Sequence, residues 1–129
     1  MSDFERVFSP DAPKPIGPYS QAVRSGDQIY CSGQIPIDPQ TGELEGGDVS
    51  AQTDRALENL RAVLGAAGCL LSDVVKTTIF LVDMNDFAIV NDRYEGSFGA
   101  SKPARSTVAV AALPKGARIE IDCIAVRKS

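Results

Sequence analysis

Two periodicities alternate along the chain. Between positions 50 and 67 the apolar residues Ala56, Leu57, Leu60, Val63, Leu64 and Ala67 recur with the 3.6-residue spacing of a helix that buries one stripe. Asp48 or Ser50 is placed to cap its start and Gly68 to stop it. A second stripe, Phe87, Val90, Tyr94 and Phe98, follows Asn85, which is placed to cap a second helix. The remaining ordered stretches read as strands. Segments 20–24 and 28–35 flank Gly26-Asp27, the turn signal of a β-hairpin. Segment 74–82 is rich in β-branched residues and closes on Ile79-Phe80-Leu81-Val82, which predicts a strand buried on both faces. Segments 105–111 and 118–127 flank Leu113-Pro114-Lys115-Gly116 and predict a second hairpin.

The order is therefore ββαβαββ, an α+β chain forming one mixed sheet with both helices on one face, because crossover helices pack back onto a sheet with a fixed hand. Several strands nevertheless carry apolar residues in both registers. Burying the bare sheet face between copies is the economical solution, so a homo-oligomer is expected. No repeat or linker divides the chain, and residues 1–129 are expected to form a single domain with 1–15 as an N-terminal extension, a loop leading into the body.

Composition narrows the chemistry. The chain has 129 residues and no histidine, which removes Ser-His-Asp and Cys-His nucleophile systems and His-ligated metals. Thirteen Lys and Arg against 17 Asp and Glu leave a net charge of −4, so no global field attracts nucleic acid or anionic lipid. Cys31, Cys69 and Cys123 lack metal-finger spacing and read as reduced thiols. The polar, acidic start at Met1-Ser2-Asp3-Phe4-Glu5 is unlike a signal peptide, and no apolar run approaches the ~20 residues of a membrane span. A cytoplasmic protein without membrane or nucleic-acid partners is expected.

Neither Gly-rich phosphate motif is present. Asp83, Asp86 and Asp92 lie around helix starts and turns, where capping and the helix dipole account for them, so no metal site is expected. In the last segment alternation sends Ile119, Ile121 and Cys123 to one face and Arg118, Glu120 and Asp122 to the other. On segment 105–111, Arg105 and Thr107 share a face with the small Ala109 and Ala111. A strand-anchored arginine is a fixed fork of donors suited to a carboxylate or phosphate, or else a solvated, ion-paired edge residue. Glu120 is equally an ordinary alternating surface acid. Ser32 and Gln34, beside Gly33, line a pocket or an edge.

Five motifs, in order, carry a family resemblance. Ile16-Gly17-Pro18-Tyr19-Ser20-Gln21, Ser32-Gly33-Gln34-Ile35-Pro36, Val75-Lys76-Thr77-Thr78-Ile79-Phe80, Pro103-Ala104-Arg105-Ser106 and Leu113-Pro114-Lys115-Gly116 through Ile119-Glu120-Ile121 resemble the RidA (YjgF) family of reactive-intermediate deaminases. The resemblance runs from about residue 15 to 127. It implies a chorismate-mutase-like fold, a homotrimer with ligand clefts between subunits, and hydrolysis of 2-imino acids such as 2-iminopropanoate and 2-iminobutanoate to 2-oxo acids and ammonia, without a cofactor. By that resemblance Arg105 binds the substrate carboxylate and Glu120 positions or activates water. Tyr19, Ser32, the Gly33 backbone and Asn91 match the remaining cleft residues. Thr107 stands where many members have cysteine, which leaves a backbone N–H rather than a thiol as its contribution.

Other activities fit the same cleft. A trimer that binds a 2-oxo acid as a signal would need the same arginine. The ribonuclease or translation-inhibitor activity attributed to some relatives fits poorly with an acidic chain that lacks histidine.

Overall fold

The computed structural model describes residues 4–128. Six strands form one sheet: β1 (Phe4–Val7), β2 (Ala22–Ser25), β3 (Gln28–Gln34), β4 (Val74–Leu81), β5 (Ala104–Ala109) and β6 (Ile119–Val126). Two α-helices, α1 (Val49–Ala66) and α2 (Phe87–Phe98), complete the α+β architecture. Across the sheet the order is β1-β2-β3-β6-β4-β5. The helices share one face, where Leu57, Leu60, Leu64, Val90, Tyr94 and Phe98 pack with Ile79, Ile119 and Ile121 in a single core.

Local signals act as expected at several points. The side chain of Asp48 accepts from Ala51 N at 2.9 Å and caps α1, and Gly68 takes the left-handed φ of 81° that follows the helix end. Ser25 pairs with Gln28 across the Gly26-Asp27 turn, with Gly26 at φ 61°. All three cysteines are free and buried.

Four expectations are corrected. Segments 105–111 and 118–127 do not form a hairpin. β5 runs parallel to β4 with α2 as the crossover, and β6 inserts between β3 and β4, antiparallel to both. Burial explains the choice, because Ile119, Ile121, Cys123 and Ala125 of β6 are buried and need neighbours on both sides, whereas no residue of β5 is fully buried and the strand suits an edge. Secondly, part of the N-terminal extension is a strand. β1 pairs antiparallel with β2, and Arg24 closes on Glu5 at 3.2 Å, a contact too long-range for four mostly exposed residues to announce. Thirdly, Asn85 does not cap α2. It lies in a 3-10 turn, Met84–Asp86, where its N–H donates to Asp83 Oδ1 at 2.9 Å. Finally, β4 is buried on one face only: Thr77, Ile79 and Leu81 point into the core, and Lys76, Thr78 and Phe80 stand half-buried on the open face. There they are joined by Tyr30 and Val126, which are 43% and 39% exposed.

Two buried amides hold the segments around β3. Gln21 accepts from Ser9 N at 2.6 Å and donates to the carbonyls of Ser9 and Pro13, tying the N-terminal loop to the body. Asn59 of α1 donates to the carbonyls of Ile35 and Ile37 at 3.1 and 2.9 Å, pinning the chain just after β3.

Candidate functional site

The strand registers place the candidate residues in two groups. Thr77 of β4 lies opposite Arg105 on one side and Cys123 on the other, so Arg105 and, two residues on, Thr107 share the helix-covered face. Phe80 lies opposite Glu120 and Val108, so Glu120 is on the open face. The second hairpin expected from the sequence would have allowed both groups onto one surface. With β6 inserted, one chain holds its arginine and its glutamate on opposite sides of the sheet.

The first group is built on the β5 edge and α2. Arg105 Nη1 donates to Asn91 Oδ1 at 2.8 Å. Its guanidinium carbon lies 4.9 Å from the Tyr94 ring centre and 5.6 Å from that of Phe87, within cation-π range. The Tyr94 hydroxyl is in turn 2.7 Å from Thr77 Oγ1. Among the described residues no carboxylate pairs with Arg105. The ion-paired edge arginine is therefore excluded here: the fork is oriented by an amide and two rings, and its charge is left for something else. Thr107 Oγ1 is buried without a hydrogen-bond partner on the same face, an orphan that calls for an explanation. Phe87 and Tyr94 appear in the sequence only as members of a core stripe, and the helical spacing that marks them does not reveal that the arginine lies between them.

The second group surrounds the irregularity in β3. Cys31 pairs with Cys123 and Gln34 with Ile121, so Ser32 and Gly33 together oppose Asp122 in a β-bulge. Ser32 Oγ donates to Ser20 O at 2.6 Å and its N–H to Gln21 O at 2.9 Å. The Glu120 side chain occupies the space that a Gly33 side chain would need: a Cβ there would stand 2.7 Å from Glu120 Cδ. Any side chain at residue 33 would push the Glu120 carboxylate aside, so glycine leaves that carboxylate its place against β3. Burial raises the Glu120 pKa above its ordinary value, and the neighbouring Asp122 adds to the rise. Asp122 is raised as well, by burial, against the lowering effect of hydrogen bonds from Thr78. Tyr19 is 53% exposed, and it borders a cavity of about 340 Å³ that Gly33, Ile35 and Ile37 also line.

The thiols are not part of this chemistry. Cys123 is pushed up by its hydrogen bond to Cys31 and then by burial, and Cys69 by burial and then Asp73, which keeps both protonated and unreactive. Among the described residues no group of histidines, cysteines and carboxylates could hold a metal ion. No helix among them is long and apolar enough to cross a membrane.

The model of the endoribonuclease L-PSP family matches residues 9–127. The chain belongs to this family, also known as RidA/YjgF. Its relatives carry differing names. A RutC family protein of Pyrococcus horikoshii is 54% identical over 96% of this chain and 98% of its own. The mouse 2-iminobutanoate/2-iminopropanoate deaminase is 53% identical over 94% of this chain and 90% of its own. A crystal structure of a proposed endoribonuclease from Thermotoga maritima superimposes with a TM-score of 0.95 at 53% identity, covering 97% of this chain and 98% of that one. The α+β fold is thus the family's, and some members bear the name of an imine deaminase.

Proposed function

We propose that this chain hydrolyses 2-imino acids such as 2-iminopropanoate and 2-iminobutanoate, at a site formed between copies of a homotrimer. The observation that carries the proposal is the split just described: an unneutralised, oriented arginine on one face and a half-buried glutamate on the other, which only a neighbouring copy can bring to one small molecule. The open face, with Tyr30, Val126 and Phe80 on it, supplies surface for that contact. The name of the mouse relative supports the reaction.

The chemistry asks little of a nucleophile. Arg105 of one copy binds the substrate carboxylate as a two-pronged pair. Glu120 of the next takes a proton as water adds to the protonated imine carbon, and returns it to nitrogen as the C–N bond breaks. One imine and one water become one 2-oxo acid and one ammonium ion. A carboxyl raised by burial holds its proton to higher pH and is a stronger base once ionised, which suits both transfers. Tyr19 and Ser32 hydrogen-bond the nitrogen or the developing hydroxyl, while Asn91 keeps the Arg105 fork in place. Gly33 and Thr107 offer backbone N–H groups, and the Thr107 hydroxyl gains the partner it lacks in a single chain.

The test couples the protein to threonine dehydratase and threonine and follows 2-oxobutanoate release. Acceleration is expected, with Arg105→Ala losing most of it, about 30-fold or more for a buried charge pair broken on one side. Acceleration equal to wild type in Arg105→Ala would overturn the assignment, and saturable 2-oxo acid binding without acceleration would favour a binding protein.

A further inference from the structure

Hydrolysis of two small imino acids leaves the cavity beside Gly33 unexplained. Its volume of about 340 Å³ lies within the roughly 300–1,000 Å³ of small-molecule pockets, and it shares Gly33 and Tyr19 with the Glu120 half of the site. Ile16, Ile35, Ile37 and Pro39 make much of its wall apolar. Two lysines, Lys14 and Lys115, also line it, and neither forms an ion pair among the described residues. The one acid in the lining, Asp38, is already engaged: its Oδ1 accepts from the N–H groups of Gln40 and Thr41 at 2.8 and 3.3 Å. Two lysines against this single acid leave the lining with an excess of one positive charge, in a chain whose net charge is −4.

Lys115 adds a second observation. It sits at φ 58°, ψ 20° in the turn Pro114–Gly116, a left-handed conformation that glycine or asparagine adopts with less strain. That turn leads directly into β6 and Glu120. A lysine held in a strained conformation at the entrance to the catalytic strand, facing a cavity, points to a use for its side chain.

We propose that the cavity receives the substrate side chain and that Lys115, assisted by Lys14, binds an anion at its end, so that the chain accepts 2-imino acids whose side chain terminates in a carboxylate. This rests on the imine-hydrolase reading above. The apolar wall accommodates the methylenes and the ammonium groups the terminal charge, while the reaction itself is unchanged: imine and water yield oxo acid and ammonium.

The experiment generates imines in place with a flavin amino-acid oxidase and catalase, from glutamate or from 2-aminobutyrate, and measures their decay by semicarbazide trapping. The quantity read is the ratio of kcat/KM for the glutamate-derived imine to that for the 2-aminobutyrate-derived one. Lys115→Asn, which keeps a left-handed backbone and removes the charge, is expected to lower that ratio about tenfold through KM, the loss of one hydrogen bond to a charged group. Lys115→Arg is expected to retain most of it. A ratio unmoved in a Lys115→Asn, Lys14→Gln double variant would overturn the proposal. So would wild-type protein that accelerates only the 2-aminobutyrate-derived imine, an outcome that leaves the hydrolase reading standing. No acceleration of either imine would overturn both.

Discussion

The two faces of the sheet are built from the same six strands and obey different rules. On the helix-covered face Ile29, Leu81, Ile119 and Ile121 are completely buried, and their partners come from α1 and α2 of the same chain. On the open face, aromatic and aliphatic residues are mixed with Lys76, Glu120 and Asp122, all of them partly exposed. A face finished by its own helices is specified by volume and apolarity. A face on which a second copy is proposed to pack must also carry charge, because it has to remain compatible with water in the single chain. The catalytic candidates follow the same division, with Arg105 at the rim of the finished face and Glu120 on the unfinished one.

Cutting one large residue from each face should have very different consequences. Leu60→Ala, at a fully buried position of α1, is expected to cost about 2–5 kcal/mol in urea denaturation. Tyr30→Ala on the open face is expected to cost the isolated copy no more than about 0.5 kcal/mol. Its effect should appear instead as dissociation in sedimentation velocity and as a stability that depends on protein concentration. Equal losses from the two variants in dilute, monomeric protein would show that the open face is not waiting for a partner.

Removing the acceptor from Arg105 probes the rim. Asn91→Ala is expected to lower kcat/KM in the dehydratase-coupled assay by about 1.5–3 kcal/mol, the worth of a hydrogen bond to a charged group, mainly through KM, with the fold intact by circular dichroism. A fall in kcat at constant KM would instead place Asn91 at the reacting atoms.

The smallest effect sharpens the picture of the open face. Glu120 is raised above its ordinary 4.5 by burial and by Asp122, so the folded state binds more protons than the unfolded one as pH rises from about that value. Stability is lost across that window, and Glu120→Gln, which cannot titrate, avoids the loss. The variant should be more stable than wild type at pH 7, by less than about 1 kcal/mol for a half-exposed group, with the difference vanishing below pH 4. Thermal melts at several pH values measure it. A Glu120→Gln variant less stable at pH 7 would mean that the ionised carboxylate has a favourable partner in the assembly.

Much of this molecule was legible without coordinates. Leu57, Leu60 and Leu64 announced α1 by spacing, Asp48 and Gly68 its ends, and Gly26 a two-residue turn, because each of these signals acts over a few residues. The motifs around Tyr19, Ser32, Arg105 and Glu120 were legible as a family pattern for the same reason. Gln21 and Asn59 were not, since a buried amide is recognised only by the distant carbonyls it serves. Phe87 and Tyr94 were legible as apolar spacing, but their rings flank a charge brought from another strand.

The amino-acid sequence alone settled which residues alternate, which helices form, and that imidazole takes no part in the chemistry. It could not settle strand order, because pairing is decided by long-range competition for burial rather than by neighbours in the chain. β5 and β6 are separated by a turn that reads as a hairpin, yet β6 has enough apolar surface to claim the middle of the sheet, and β5 is left at the edge beside β4. That single choice put Arg105 and Glu120, the two residues the proposed hydrolase needs at one substrate, on opposite faces of one copy.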